Sequence, residues 1–113
     1  MIKESLKLGP KERGEIVFEA HRPIREPILH VRCRGGEVIV EEILHGRASV
    51  MDQVGGSSLP IEFFRNGIRF EVTITREEPI KLIVINSKDE PSLVTASLTE
   101  TEGLQTKEEQ DVR

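Results

Sequence analysis

The chain has 113 residues, 36% hydrophobic and 32% charged, with a formal net charge of −4. That length holds one domain with a modest core, and that balance excludes a disordered chain. No apolar run is long enough to cross a bilayer, the acidic balance gives no global attraction for nucleic acid or an anionic membrane, and the lone Cys33 excludes an intrachain disulfide.

Aromatic residues are limited to four Phe, with no Trp or Tyr. The core must therefore be built from Ile, Val and Leu, and β-branched side chains suit a pleated surface. Residues 1–14 are polar, carry Gly9-Pro10 and lack a period. They read as an N-terminal arm with at most a short strand. Glu15 to Ala20 reads as the first core strand, with Ile16 and Phe18 inward. Pro23 and Pro27 each remove a ladder donor, so 21–27 is expected to be an extended edge or a crossover between sheets.

Ile28 to Cys33 is strand-like and Gly35-Gly36 closes it. Glu37 to His45 follows, with Val38 and Val40 inward. Its alternation breaks at Glu41-Glu42-Ile43, which predicts a bulge or a change of sheet. Residues 46–59 form the longest irregular connection, and Gly55-Gly56-Ser57-Ser58 within it predicts a flexible exposed loop.

Pro60 to Phe64 reads as a short strand. Arg65-Asn66-Gly67 reads as a hairpin turn, because Asn-Gly accepts positive φ at low cost. The strictest alternation in the chain comes next: Ile68, Phe70, Val72 and Ile74 between Arg69, Glu71, Thr73 and Thr75. This two-residue period predicts one strand pairing back on 60–64. Ile80 to Asn86 is apolar enough for a central strand buried on both faces. Ser92 to Thr99 is the last strand. Residues 100–113 hold five acids (Glu100, Glu102, Glu108, Glu109, Asp111) against two bases and should be a disordered acidic tail. The domain is thus 15–99, all-β, with seven or eight short antiparallel strands in a sandwich or barrel.

Reactive motifs are not evident. His21, His30 and His45 lie 9 and 15 residues apart, unlike the short regular spacing of zinc ligands, and read as exposed or strand-end residues. Adjacent carboxylates such as Glu41-Glu42 point to opposite faces of a strand and cannot act as a catalytic pair. Gly55-Gly56-Ser57-Ser58 lacks the Lys-Ser/Thr and the helix of a phosphate loop. No catalytic residue, metal ligand or cofactor is expected, and the chain reads as not an enzyme.

Arg22, Arg25, Arg32 and Arg34 cluster against one acid, Glu26, within 21–34. Arginine suits carboxylate and phosphate recognition. The absence of interleaved aromatics argues against a nucleic-acid partner. These four arginines read as an interaction surface, meeting acids such as Glu41 and Glu42 on a neighbouring copy.

Several short elements occur in a suggestive order. They are Phe18-Glu19-Ala20 then Pro23-Ile24-Arg25; Val40-Glu41-Glu42-Ile43 running into Gly46 and Ser49; Gln53; Pro60 with Phe63; and Val84-Ile85-Asn86-Ser87. In that order the chain resembles small β-sandwich structural proteins of phages and related viruses, of jelly-roll type. It departs from them in its charged arm, its acidic tail and the Gly55-Gly56 loop.

The resemblance implies a jelly-roll-like sandwich and a non-enzymatic minor capsid, vertex or decoration subunit. Its partners would be further copies of itself, as a trimer or pentamer, and a capsid shell protein, with no membrane involved. The alternative is a sandwich binding carbohydrate or another small ligand, for which the lack of Trp and Tyr is poor raw material. Expected locations are the virion or the cytoplasm, since 1–7 has no apolar run for a signal peptide. High charge with few Asn and Gln leans toward a thermophilic host.

Overall fold

A computed structural model describes residues 1–56 and 58–100. Among the described residues the strands are β1 (Ile2–Leu8), β2 (Arg13–Phe18), β3 (Ile24–Arg25), β4 (Pro27–Arg34), β5 (Val38–His45), β6 (Ala48–Ser49), β7 (Leu59–Pro60), β8 (Ile68–Arg69), β9 (Thr73–Ile74), β10 (Ile80–Asn86) and β11 (Ser92–Glu100). The fold is an all-β antiparallel sandwich.

One sheet, here sheet A, has the order β1-β11-β4-β8; the other, sheet B, has the order β2-β10-β5, with β6 and β7 both pairing on β5. Five strands, β3 and β6 to β9, are two residues long; set aside β3 and β9, which pair only with each other, and β6, the return of a tight hairpin on β5. The remaining eight strands then interleave as first-eighth-third-sixth facing second-seventh-fourth-fifth. That is the double Greek-key order of a jelly roll. Almost every connection carries the chain from one sheet to the other.

Alternation puts one side of each strand into the space between the sheets. Phe18, Leu29, Val38, Val40, Ile43, Phe64, Phe70, Ile74, Ile80, Leu82, Val84, Val94 and Ala96 are fully buried there. Ile68 and Val72 pack on this core half-buried. At one margin the sheets pinch together: a Cβ on Gly14 would lie 2.6 Å from Leu6 Cδ2. Only a residue without a side chain lets β2 approach β1 so closely.

Several expectations need correction. Ile2–Leu8 is not an arm but a seven-residue edge strand, paired with β11 from Ile2–Leu98 to Leu8–Ser92. Its period is faint because Glu4 stands at an inward position that the open edge leaves in water. The run 68–75 is not one strand. Ile68–Arg69 pairs with β4 and Thr73–Ile74 with β3, because the chain leaves sheet A between them. Ile61–Phe64 is a turn of 3-10 helix, and β7 pairs with β5, so the expected hairpin across Asn66-Gly67 does not form. Gly67 still takes positive φ, 89°. Strand β10 is central, yet only one face is fully buried; Ile83 and Ile85 are half-exposed on the other.

Other expectations hold. The segment 21–27 is the crossover from sheet B to sheet A. The bulge falls at Glu41: Ile83 pairs with Glu42 but Val84 with Val40, leaving Glu41 as the extra residue. Within the long connection, Met51 and Val54 are buried on a 3-10 turn. Ser57 of the expected flexible loop and residues 101–113 of the expected tail lie outside the described residues.

Candidate interaction surface

The outward face of sheet A is assembled from strands distant in sequence. Register sets three rows across β1, β11 and β4: Lys3–Ser97–His30, Ser5–Thr95–Arg32 and Lys7–Leu93–Arg34. A fourth row ends the sheet with Thr99, Ile28 and Arg69. None of these outward positions is acidic. Apart from Leu93, the middle strand carries short hydroxyl side chains here, and the flanking strands carry the cations Lys3, Lys7, Arg32 and Arg34.

The result is a trough. Its floor is Thr95, Ser97 and Thr99, and its two rails stand on strands about 9.6 Å apart, two inter-strand spacings. A depression of about 640 Å³ occupies it, lined among others by Lys3, His30, Arg32, Arg65, Thr95 and Ser97. Arg65 comes from the turn 65–67, which leans over β4. A Cβ on Gly67 would lie 2.7 Å from His30 Nε2, so glycine is what lets that turn sit against the imidazole. Ser5 Oγ and Thr95 Oγ1 are 3.5 Å apart across the floor.

Among the described residues, no carboxylate lies within ion-pair distance of Lys3, Lys7, Arg32, Arg34 or Arg65, while Arg69 stands 4.0 Å from Glu26. The face therefore offers donors and positive charge to whatever approaches it. The hydroxyls add acceptors, and among the described residues Glu26, beside Arg69, is the one carboxylate within ion-pair distance of these cations.

The four sequence-predicted arginines do not form one surface. Arg32 and Arg34 stand two residues apart on the outward side of β4 and belong to the trough. Arg22 lies in the bend after β2, and Arg25 is on β3, paired with Thr73. The proline-interrupted crossover separates the two pairs. The acids expected to complement them, Glu41 and Glu42, are on sheet B and already engaged. Arg13 donates to both oxygens of Glu41, at 2.6 and 3.2 Å, which holds the guanidinium protonated above its usual range. Glu42 accepts from Ser49 Oγ at 2.5 Å and from the Ile43 amide at 3.1 Å.

The outward face of sheet B differs in character. Its rows are Arg13–Ile85–Ile39, Glu15–Ile83–Glu42 and Val17–Lys81–Leu44. Five aliphatic side chains, Val17, Ile39, Leu44, Ile83 and Ile85, share this face half-exposed or exposed. Lys81 Nζ reaches Glu15 at 3.8 Å. Charges of both signs surround an apolar middle.

The histidines are dispersed: His21 in the bend after β2, His30 in the trough, and His45 at the end of β5 with Nε2 2.7 Å from Thr73 O. Among the described residues, no three His, Cys, Asp or Glu side chains converge on a point that could hold a metal ion. Nor, among them, is any helix long and apolar enough to cross a membrane.

No protein-family model and no curated protein sequence matches this chain. The trough residues that sequence reasoning missed are Lys3, Lys7, Arg65, Arg69, Thr95, Ser97 and Thr99. Their signal was present locally, in Lys3-x-Ser5-x-Lys7 and Thr95-x-Ser97-x-Thr99. Their union depends on pairing β1 with β11, some ninety residues away.

Proposed function

We propose that this chain is a non-enzymatic structural subunit that self-associates through protein–protein contact, and that it serves as a minor capsid, vertex or decoration subunit of a virus or phage particle. A fold does not by itself carry a function, although the jelly-roll order is one that capsid subunits use. The observation that carries the reading is the outward face of sheet B. Half-exposed aliphatic side chains sit together there on β10 and the strands beside it, where a neighbouring copy would cover them.

The charge pattern supports a second copy as the occupant. Sheet B mixes Arg13 and Lys81 with Glu15, Glu41 and Glu42, so two such faces meet without strong repulsion. The uniformly cationic face of sheet A repels its own kind. Assembly therefore uses sheet B. A trimer or pentamer is the expected size, with a capsid shell as the further partner. Native mass measurement across a concentration series tests this: a closed oligomer of one size supports it, and a strict monomer at the highest soluble concentration rejects it.

A further inference from the structure

The trough on sheet A has no role in self-association through sheet B, and its composition points elsewhere. Its outward positions combine Lys3, Lys7, Arg32, Arg34 and Arg69, with Arg65 leaning in and no acid among them. The whole chain carries a net charge of −4, yet six of its sixteen Lys and Arg residues gather on this one face. Concentrating like charges on one side costs self-repulsion. A cation-railed groove with a hydroxyl floor gives that cost a return when an anion fills it.

We propose that the sheet A trough binds the phosphodiester backbone of single-stranded nucleic acid, without regard to base sequence. The dimensions fit one extended chain. Rails about 9.6 Å apart leave room for a single backbone, and the strand from Leu93 to Thr99 runs about 20 Å between them, with hydroxyls from Thr95 onward. Arg32 and Arg34 stand about 6.7 Å apart on one rail, with Lys3 and Lys7 on the other. Guanidinium forks match the paired oxygens of a phosphate, and Thr95, Ser97 and Thr99 hydroxyls donate to the same oxygens.

What the trough lacks defines the mode. Among the described residues no aromatic side chain lies on the floor, so bases have no platform on which to stack. Among the described residues no helix or ribbon stands out from this face to enter a duplex groove. Binding is therefore a backbone-only, salt-governed contact. The sequence argument against a nucleic-acid partner holds for base recognition and leaves backbone recognition open.

Fluorescence anisotropy with labelled 20-mers of deoxythymidine and deoxyadenosine on the full chain tests the proposal. Equal affinity for the two is expected. About five phosphate contacts give a salt slope near −3.5, so affinity should fall on the order of 100-fold between 50 and 200 mM salt. The double variant Arg32→Ala/Arg34→Ala should flatten the slope by about 1.4. Ser97→Glu, which puts a carboxylate on the floor, should abolish binding. Arg47→Ala, in the exposed turn between β5 and β6, should leave it unchanged. Unchanged thermal unfolding of each variant shows that folding is not the cause. The proposal is overturned if neither oligonucleotide binds at 50 mM salt, or if the Arg32/Arg34 and Ser97 variants bind as the parent does. It is equally overturned if heparin or polyglutamate binds and the oligonucleotides do not.

Discussion

The Asn86 side-chain oxygen lies 2.6 Å from the point a Cβ would occupy on Gly36, so the β4–β5 turn closes directly over the end of β10. Asn86 is fully buried, and all its hydrogen-bonding capacity is used. Its Nδ2 donates to Gly9 O at 3.1 Å and to Glu90 O at 2.6 Å. Its Oδ1 accepts from Glu37 N at 3.3 Å and Lys88 N at 3.2 Å. One amide thus joins three turns, those after β1, β4 and β10. Asn86→Ala leaves four main-chain groups without this partner and is expected to cost about 3 kcal/mol. Urea unfolding checks it; a loss below about 1 kcal/mol would mean that water replaces the amide.

Strand β1 closes one side of sheet A. Leu8 is buried, Ile2 and Leu6 pack on the core, and the strand completes the ladder on β11. Small domains hold only about 5–15 kcal/mol of stability. Deleting residues 1–8 is therefore expected to abolish cooperative thermal unfolding. A melting temperature unchanged to within a few degrees would restore the arm reading.

Phe70 sits between β8 and β9, fully buried, with its amide donating to Pro27 O at 3.0 Å. Truncation leaves a cavity where the chain changes sheets, a place with little freedom to collapse. Phe70→Ala is expected to destabilise by about 3–5 kcal/mol. Denaturant unfolding within about 1 kcal/mol of the parent would remove Phe70 from the core.

Gly67 faces two constraints, a φ of 89° and the His30 ring. Gly67→Ala adds left-handed strain of about 1–2 kcal/mol and pushes the imidazole aside. The expected result is a stability loss of that order together with displaced His30 ring signals in the NMR spectrum. Unmoved His30 resonances would show that the turn does not lean on the trough.

Much of this fold is legible in the sequence where the two-residue rhythm belongs to a strand with partners on both sides. Val94, Ala96 and Leu98 of β11, and Leu82 and Val84 of β10, alternate cleanly and are buried. The Glu41 bulge shows as a break in that rhythm. Legibility fails at the margins. In Ile2–Leu8 the open edge leaves Glu4 wet and hides the period. In 68–75 the alternation reports burial correctly but not pairing, since Phe70 and Ile74 face the same core, one from the link between β8 and β9 and the other from the β3–β9 ladder. The candidate surface is less legible still. Arg32 and Arg34 stand out in the sequence, but joining them to Lys3 and Lys7 requires knowing that β11 lies between β1 and β4. That is a matter of topology rather than of local composition.

The proposed self-association requires another copy of the chain to cover the apolar face of sheet B. Ile83 lies between Glu15 and Glu42 in register, so Ile83→Lys puts a cation beside two carboxylates and should not harm the monomer fold. Sedimentation velocity of parent and variant at equal concentration is the direct measurement. One discrete oligomer is expected for the parent, and a monomer with unaltered circular dichroism for the variant. Identical sedimentation of the two proteins, at either size, would contradict it.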